Sequence, residues 1–178
     1  MAIRITGGSL RGHQISGPSG RIRPTAARVR QVIFDILGDI VGLSFCDLYA
    51  GTGAVGIEAV SRGASYVEFV ESDRRAARNI AATIDRLDLP SKTARIRPET
   101  VARWLSSAPA TFDIIFADPP YLEGSANELA RLLPQILKCL SPNGIFILQF
   151  PIKMVPPGGF SDERRFGDDM LYFWENGR

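Results

Sequence analysis

The sequence predicts a doubly wound α/β architecture with a mainly parallel sheet, an antiparallel closing strand and a short β-hairpin at the amino end. Three observations lead there. From Leu43 onward, short strand-like runs alternate with helical stretches, the pattern of a parallel sheet with helices on its faces. Between the first such run and the first such helix lies Gly51-Thr52-Gly53-Ala54-Val55-Gly56, a turn that brings backbone N–H groups to a helix start. After Phe150 the pattern changes to Pro151, Pro156-Pro157 and Gly158-Gly159, then two strand-like pieces around Gly167-Asp168-Asp169. These predict a final hairpin that closes one edge antiparallel. At 178 residues the chain suits a single domain, 1–178, made of a hairpin arm (1–23) and a Rossmann-like core (24–178).

Taken in order, Ile3 and Ile5 alternate with Arg4, Gly7-Gly8 turns the chain, and Leu10 to Ile15 resumes the alternation. So short a hairpin must pack on something else. Pro24-Thr25 opens a helix in which Val29, Val32, Ile33, Ile36 and Leu37 share a face, with Arg28, Arg30 and Gln31 opposite and Gly38 as the stop. The strand-like runs that follow are Leu43 to Tyr49, Tyr66 to Val70, Thr93 to Arg97, Phe112 to Ala117 and Gly144 to Phe150. The helical segments between them are Ala54 to Arg62, Arg74 to Leu87, Thr100 to Ser107 and Asn127 to Leu140. Pro134 predicts a kink or an early break in the last of these.

Composition narrows the function classes. A content of 45% hydrophobic and 22% charged residues, with no apolar run of membrane-spanning length and no secretory leader, predicts a cytoplasmic globule. Cys46 and Cys139 lie among apolar neighbours and read as core; His13 is the only histidine, which rules out a multi-histidine metal site, and no metal is called for. The net charge of +2 hides an asymmetry: residues 1–34 hold six arginines and no acid, and 18 of the 21 basic residues are arginine. Guanidinium suits bidentate phosphate contact and base stacking, so an RNA or DNA partner is expected.

The chemistry-bearing stretch is Asp118-Pro119-Pro120-Tyr121, directly after the run Phe112 to Ala117. Two prolines fix the backbone and donate no N–H, leaving carbonyls free to accept beside a carboxylate and an aromatic face. That combination suits a flat ring bearing an amine. In a doubly wound sheet the ends of the first, second and fourth core strands share one crevice, so Gly51, Glu71 and Asp118 should converge. Glu71, 20 residues beyond Gly51, has the placement of an acid on a ribose diol. Two cofactors fit. The spacing Gly51-x-Gly53-x-x-Gly56 matches the dinucleotide fingerprint of NAD enzymes, but the chain lacks the residues that usually serve a nicotinamide half. S-adenosyl-L-methionine presents an adenosine with a cationic amino acid in place of a pyrophosphate, and Asp47 is placed to pair with its ammonium or, alternatively, to cap local N–H groups.

The Gly-rich turn, the acid after the second strand and Asp118-Pro119-Pro120-Tyr121 resemble the amino-methyltransferases that use S-adenosylmethionine. More narrowly, Gly7-Gly8 with Arg11-Gly12, Arg23-Pro24-Thr25 with Arg28-Val29-Arg30, and the two later motifs resemble the RsmD family, from Arg4 to about Trp174. The resemblance implies methylation of the exocyclic amine of a guanine in bacterial 16S ribosomal RNA, with an assembling small subunit as the partner. It implies that Asp118 and the Pro119 carbonyl accept from the amine, with Pro120 holding the turn and Tyr121 stacking on the base. It implies that Ala50, Gly51, Thr52 and Gly53 lie along the methionine and ribose, Glu71 on the ribose hydroxyls, and Ser72, Thr100 and Val101 near the adenine. Arg4, Arg11, Arg21, Arg23, Arg28 and Arg30 would grip phosphates. Two positions depart from the family pattern: Thr100 stands where Asn or Asp is usual, and Gln149 where an acid is frequent. Thr100 also reads as a helix N-cap, and Trp104 and Trp174 as core aromatics. Competing readings are a methyltransferase for DNA adenine or protein glutamine, an NAD-dependent oxidoreductase, and a non-catalytic RNA-binding domain.

Overall fold

The central strand β3 (Ser44–Leu48) is buried from Phe45 onward, and on either side it pairs in parallel with β4 (Tyr66–Val70) and β6 (Phe112–Ala117). The computed structural model describes residues 2–16, 25–107, 109–120 and 125–176. Ahead of β3 come β1 (Ala2–Arg4), β2 (Gln14–Ser16) and helix α1 (Thr25–Leu37). After it, α2 (Ala54–Ser61) leads to β4, α3 (Arg74–Arg86) to β5 (Ala94–Arg97), α4 (Val101–Ser106) to β6, and α5 (Ser125–Lys138) to β7 (Leu140–Pro151). The sheet order is β5-β4-β3-β6-β7-β9-β8, parallel through β7 and closed antiparallel by β8 (Asp162–Phe166) and β9 (Asp169–Glu175). The order reverses between β3 and β6, which opens a crevice at the carboxyl ends of β3, β4 and β6. The closing hairpin turns on Gly167-Asp168 and puts β9, not β8, against β7, so the exposed edge is the polar stretch Asp162-Glu163-Arg164-Arg165. Charge on that edge discourages pairing with another sheet.

Two apolar layers sandwich the sheet. One joins Ile33 and Phe34 of α1, Ile57 of α2 and Ile80 and Ile84 of α3 with Ile3, Ile5 and Ile15 of the hairpin. The other joins Trp104 of α4 and Leu129, Leu132, Leu133 and Ile136 of α5 with the opposite sheet face. Cys46 and Cys139 are buried free thiols. Among the described residues, no helix is long and apolar enough to cross a membrane.

Two expectations change. Helix α5 runs through Pro134 to Lys138 without the early break. An interior proline costs about 3 kcal/mol, but Leu129, Leu132, Leu133 and Ile136 are buried on its inner face at roughly 2 kcal/mol each, so packing outweighs the lost bond. Helix α1 is rotated from the predicted face: Val29, Arg30, Ile33 and Phe34 are buried while Ile36 is 44% exposed. Its end is as expected, with the Gly38 N–H donating to the Phe34 carbonyl at 3.0 Å.

The rotation of α1 is set by Glu58 on α2, which is fully buried and accepts from the Arg30 Nε at 3.2 Å and the Arg62 Nε at 3.1 Å. It also accepts from the Thr6 N–H at 3.0 Å and the Thr6 hydroxyl at 2.6 Å, so one carboxylate joins α1, α2 and the hairpin. One turn on, Ser61 accepts from the Ser9 and Leu10 N–H groups and donates to the Gly7 carbonyl. This explains Gly7-Gly8. Gly8 has a φ of +74°, and a Cβ there would sit 1.8 Å from the Ser61 carbonyl oxygen, so only glycine docks at this point.

Candidate active site

Strand β3 ends by carrying Asp47 and Leu48 to the crevice, where Tyr49 turns the chain with a φ of +58°. A positive φ is costly for an aromatic residue, roughly 1–3 kcal/mol, and is held here by the strands on either side. The Ala50 N–H donates to the Val70 carbonyl, the Gly51 N–H to the Glu71 carboxylate at 2.7 Å, and the Gly53 N–H to the Ala50 carbonyl. Gly53 is the N-cap of α2. Gly56, the last glycine of the fingerprint, is needed for space: a Cβ there would lie 2.3 Å from the Phe69 ring, so its absence lets α2 press on β4.

Two cavities meet at this turn. One, of about 320 Å³, is lined by Ile3, Arg30, Asp47, Ala50, Thr52 and Gln149 among others. The second, of about 410 Å³, is lined by Glu71, Ser72, Glu99, Thr100, Val101 and Pro120 among others. Tyr49, Gly51 and Asp118 border both. The predicted convergence of Gly51, Glu71 and Asp118 is therefore present in three dimensions. A larger cavity of about 560 Å³ opens at the opposite ends of the strands, beside Leu43, Asp113 and Asn143, and holds none of the predicted residues.

The electrostatics of the crevice are uneven. Asp47 is 2% exposed, and a single backbone donor reaches it, the Gly56 N–H at 2.9 Å. Burial, reinforced by the nearby Asp118 and Glu71 carboxylates, pushes its pKa up to about 8. Glu71 differs: its two oxygens accept from the Gly51 and Asp73 N–H groups, each at 2.7 Å, leaving lone pairs for further donors. Burial raises the Tyr49 phenol to about 12.

The other predicted residues fall as follows. Asp118 follows β6 directly and is exposed, Pro119 is buried beneath it and Pro120 is exposed. Thr100 caps α4, accepting from the Arg103 N–H at 3.3 Å, as one of its two readings expects, and it also lines the second cavity. Trp104 is fully buried and donates to Glu68 at 2.6 Å, and Trp174 is buried too, as expected of core aromatics. Tyr121, Arg21 and Arg23 lie outside the described residues.

The arginine arm does not act as one surface. Arg30 is 2% exposed and paired with Glu58, so it is no phosphate grip, because α1 turns it inward toward the buried acid. Arg11 lies in the turn docked at the carboxyl end of α2. That helix starts in the crevice and runs away from it for eight residues, about 12 Å, which separates Arg11 from Asp118. Arg4 and Arg28 are exposed.

Among the polar lining residues, Tyr49, Glu99 and Glu128 had not been assigned to the site, and Gln149 had been noted only as a departure from the family pattern. Gln149 was detectable as the one polar residue in the run 144–150; it is 9% exposed and donates to Asp169 at 3.1 Å. Glu99 was hidden in a charged stretch, where it pairs with Arg97 and Arg103. Among the described residues, no group of three or more His, Cys, Asp or Glu side chains is arranged to hold a metal ion.

Comparison with known proteins agrees with this geometry. Residues 3–175 match the family described as Conserved hypothetical protein 95. The ribosomal RNA small subunit methyltransferase D of Escherichia coli K12 is 34% identical over 133 residues, covering 74% of this chain and 66% of that protein. The protein of the same name from Haemophilus influenzae is 30% identical over 151 residues, covering 83% and 78%. A solved structure of a hypothetical protein from Thermus thermophilus superposes with a TM-score of 0.81 at 31% identity, over 96% of this chain and 98% of that one.

Proposed function

The chain belongs to the RsmD family of rRNA methyltransferases, and from that premise we propose that it transfers a methyl group from S-adenosylmethionine to the exocyclic N2 amine of a guanine in 16S ribosomal RNA. The observation that carries the reading is that Asp118 borders both cavities, where a donor lying across them and an incoming amine would meet. The donor set fits the cofactor: a buried, uncompensated Asp47 for an ammonium, and Glu71 with lone pairs to spare for ribose hydroxyls. The two cavities fall in the size range of small-molecule sites. When bound, S-adenosylmethionine would supply an already activated methyl group, its sulfur–methyl bond breaking as the new N–C bond forms and the neutral thioether, S-adenosylhomocysteine, leaving.

What the protein adds is placement. A guanine amine is a weak nucleophile because its lone pair is shared with the ring. The Asp118 carboxylate and the Pro119 carbonyl accept its two N–H bonds, aim the nitrogen and favour the positive charge that grows there as the N–C bond forms. The nitrogen then gives up one proton, to Asp118 or to water. Tyr121 stacks on the base, which has left its neighbours in the RNA. Arg4 and Arg28, with Arg21 and Arg23, hold phosphates, and the working partner is an assembling small subunit in the cytoplasm.

The test is methyl transfer from labelled S-adenosylmethionine to small-subunit RNA, small-subunit particles and DNA lacking prior modification, followed by nucleoside analysis. Label in N2-methylguanine is expected from the RNA or the particle. Label in methyladenine from DNA overturns the assignment. Asp118→Ala should keep cofactor affinity within about threefold while turnover falls roughly 10²- to 10³-fold, the scale of losing one preorganised charge-stabilising contact. Equal loss of affinity and turnover would remove Asp118 from the amine.

A further inference from the structure

We propose that Arg30 binds the α-carboxylate of the cofactor, so that the residue joining the amino-terminal hairpin to the core also holds the far end of the methyl donor. The inference rests on the reading above. The amino-acid end of S-adenosylmethionine is a zwitterion. Asp47 answers its ammonium, and its carboxylate needs a cation or several N–H donors. The described residues lining the two cavities include Asp47, Glu71, Glu99, Asp118 and Glu128, and one basic side chain, Arg30.

Its geometry suits the task. Arg30 is 2% exposed and borders the cavity that also holds Asp47 and the Ala50-Gly51-Thr52 backbone. Ile33, nearly one helical turn further along α1, lines the same cavity, so this face of the helix is turned toward it. The Arg30 Nε donates to Glu58 at 3.2 Å and an Nη to the Arg4 carbonyl at 2.8 Å. A guanidinium carries five N–H donors in a planar fork, so three remain. Glu58 does not cancel the charge alone, since it also accepts from Arg62 and from both donors of Thr6. Arg30 and Asp47 thus border one cavity as a fixed cation and an acid that a cationic ligand would ionise, a pair matched to a zwitterion.

The experiment compares three ligands by calorimetry: S-adenosylmethionine, its decarboxylated analogue and 5′-methylthioadenosine, which lacks the amino-acid end. The wild-type protein should prefer S-adenosylmethionine to the decarboxylated form by about 10- to 100-fold, the range of a charge-assisted contact. In Arg30→Gln/Glu58→Gln, which neutralises the buried cation and anion together, the ratio should fall below about threefold with methylthioadenosine affinity unchanged. A ratio retained in the double variant overturns the proposal and gives the carboxylate to the N–H groups at the start of α2. Equal affinities in the wild type overturn it while leaving the methyltransferase reading standing. Failure of all three ligands to bind the wild type overturns both. Should the double variant not fold, Arg30→Lys keeps the charge without the planar fork; its ratio should drop several-fold, and an unchanged ratio counts against Arg30.

Discussion

Asp47 and Glu58 are both buried carboxylates eleven residues apart, one at the end of β3 and one on α2, yet their surroundings are opposite. Glu58 accepts four hydrogen bonds, two of them from guanidinium groups. Burial alone would raise its pKa, but Thr6, Arg30 and Arg62 together hold it below the usual value. Asp47 is reached by one backbone N–H and faces two more carboxylates, and its pKa is pushed up to about 8. A buried acid with every lone pair answered is scaffold. One left without a cation beside an open cavity is a place held for a cation that arrives with the ligand.

The sharpest way to break this contrast is to make the same isosteric change at both positions. Glu58→Gln leaves Arg30 buried without its anion and should cost about 3–5 kcal/mol in denaturant unfolding. Asp47→Asn removes a group that is mainly protonated at neutral pH and should cost less than about 1 kcal/mol. Similar losses at the two sites would end the distinction.

Proton linkage sharpens it. Because Asp47 titrates near 8 when folded, against 3.8 ordinarily, the ligand-free protein holds a proton across that window that the unfolded chain lacks, and this group's contribution lowers stability as pH rises through it. A cationic ligand selects the ionised form. Affinity for S-adenosylmethionine should therefore rise by up to about tenfold per pH unit as pH approaches 8, and fall above it as the ligand's own α-ammonium loses its proton. Calorimetry in buffers of different ionisation heat should show proton release, and Asp47→Asn should abolish the rise and the release. For Glu58 the sign is reversed: its stabilisation is present at neutral pH and is lost as pH falls through its depressed value.

The smallest effects separate space from backbone strain at the hairpin. Gly8 and Gly12 both have positive φ, but an added Cβ meets the Ser61 carbonyl at the first and open space at the second. Gly12→Ala should cost about 1 kcal/mol, and Gly8→Ala about 2–3 kcal/mol because the docking contact must also move. Thermal unfolding measures both, and equal costs would mean the hairpin does not depend on its seat.

The β-α alternation, the crevice and the meeting of Gly51, Glu71 and Asp118 were legible in the sequence because each follows from periodicity or from the order of strands. The inward turn of Arg30 was not. On a helical wheel it continues a cationic segment, and only its partner reveals it: Glu58 stands in the largely apolar helix Ala54–Ser61, a buried acid that requires a cation from elsewhere in the chain. That α5 continues past Pro134 was not legible for a related reason, since local propensity says nothing of how much apolar surface the helix covers. The positive φ of Tyr49 leaves no trace in its own residue type and arises from the strands that hold it.

The seat of the hairpin has a kinetic side. Its ladder has three register pairs, and a few side chains dock it: Glu58 and Ser61 one turn apart on α2, Arg30 on the Arg4 carbonyl and Arg86 on the Gln14 carbonyl. Such a unit lets go all at once. The amide protons of Ile5 and Gly12, which bond within the hairpin, should exchange with solvent at one common rate, far faster than those of β3, whose release requires the whole sheet to open.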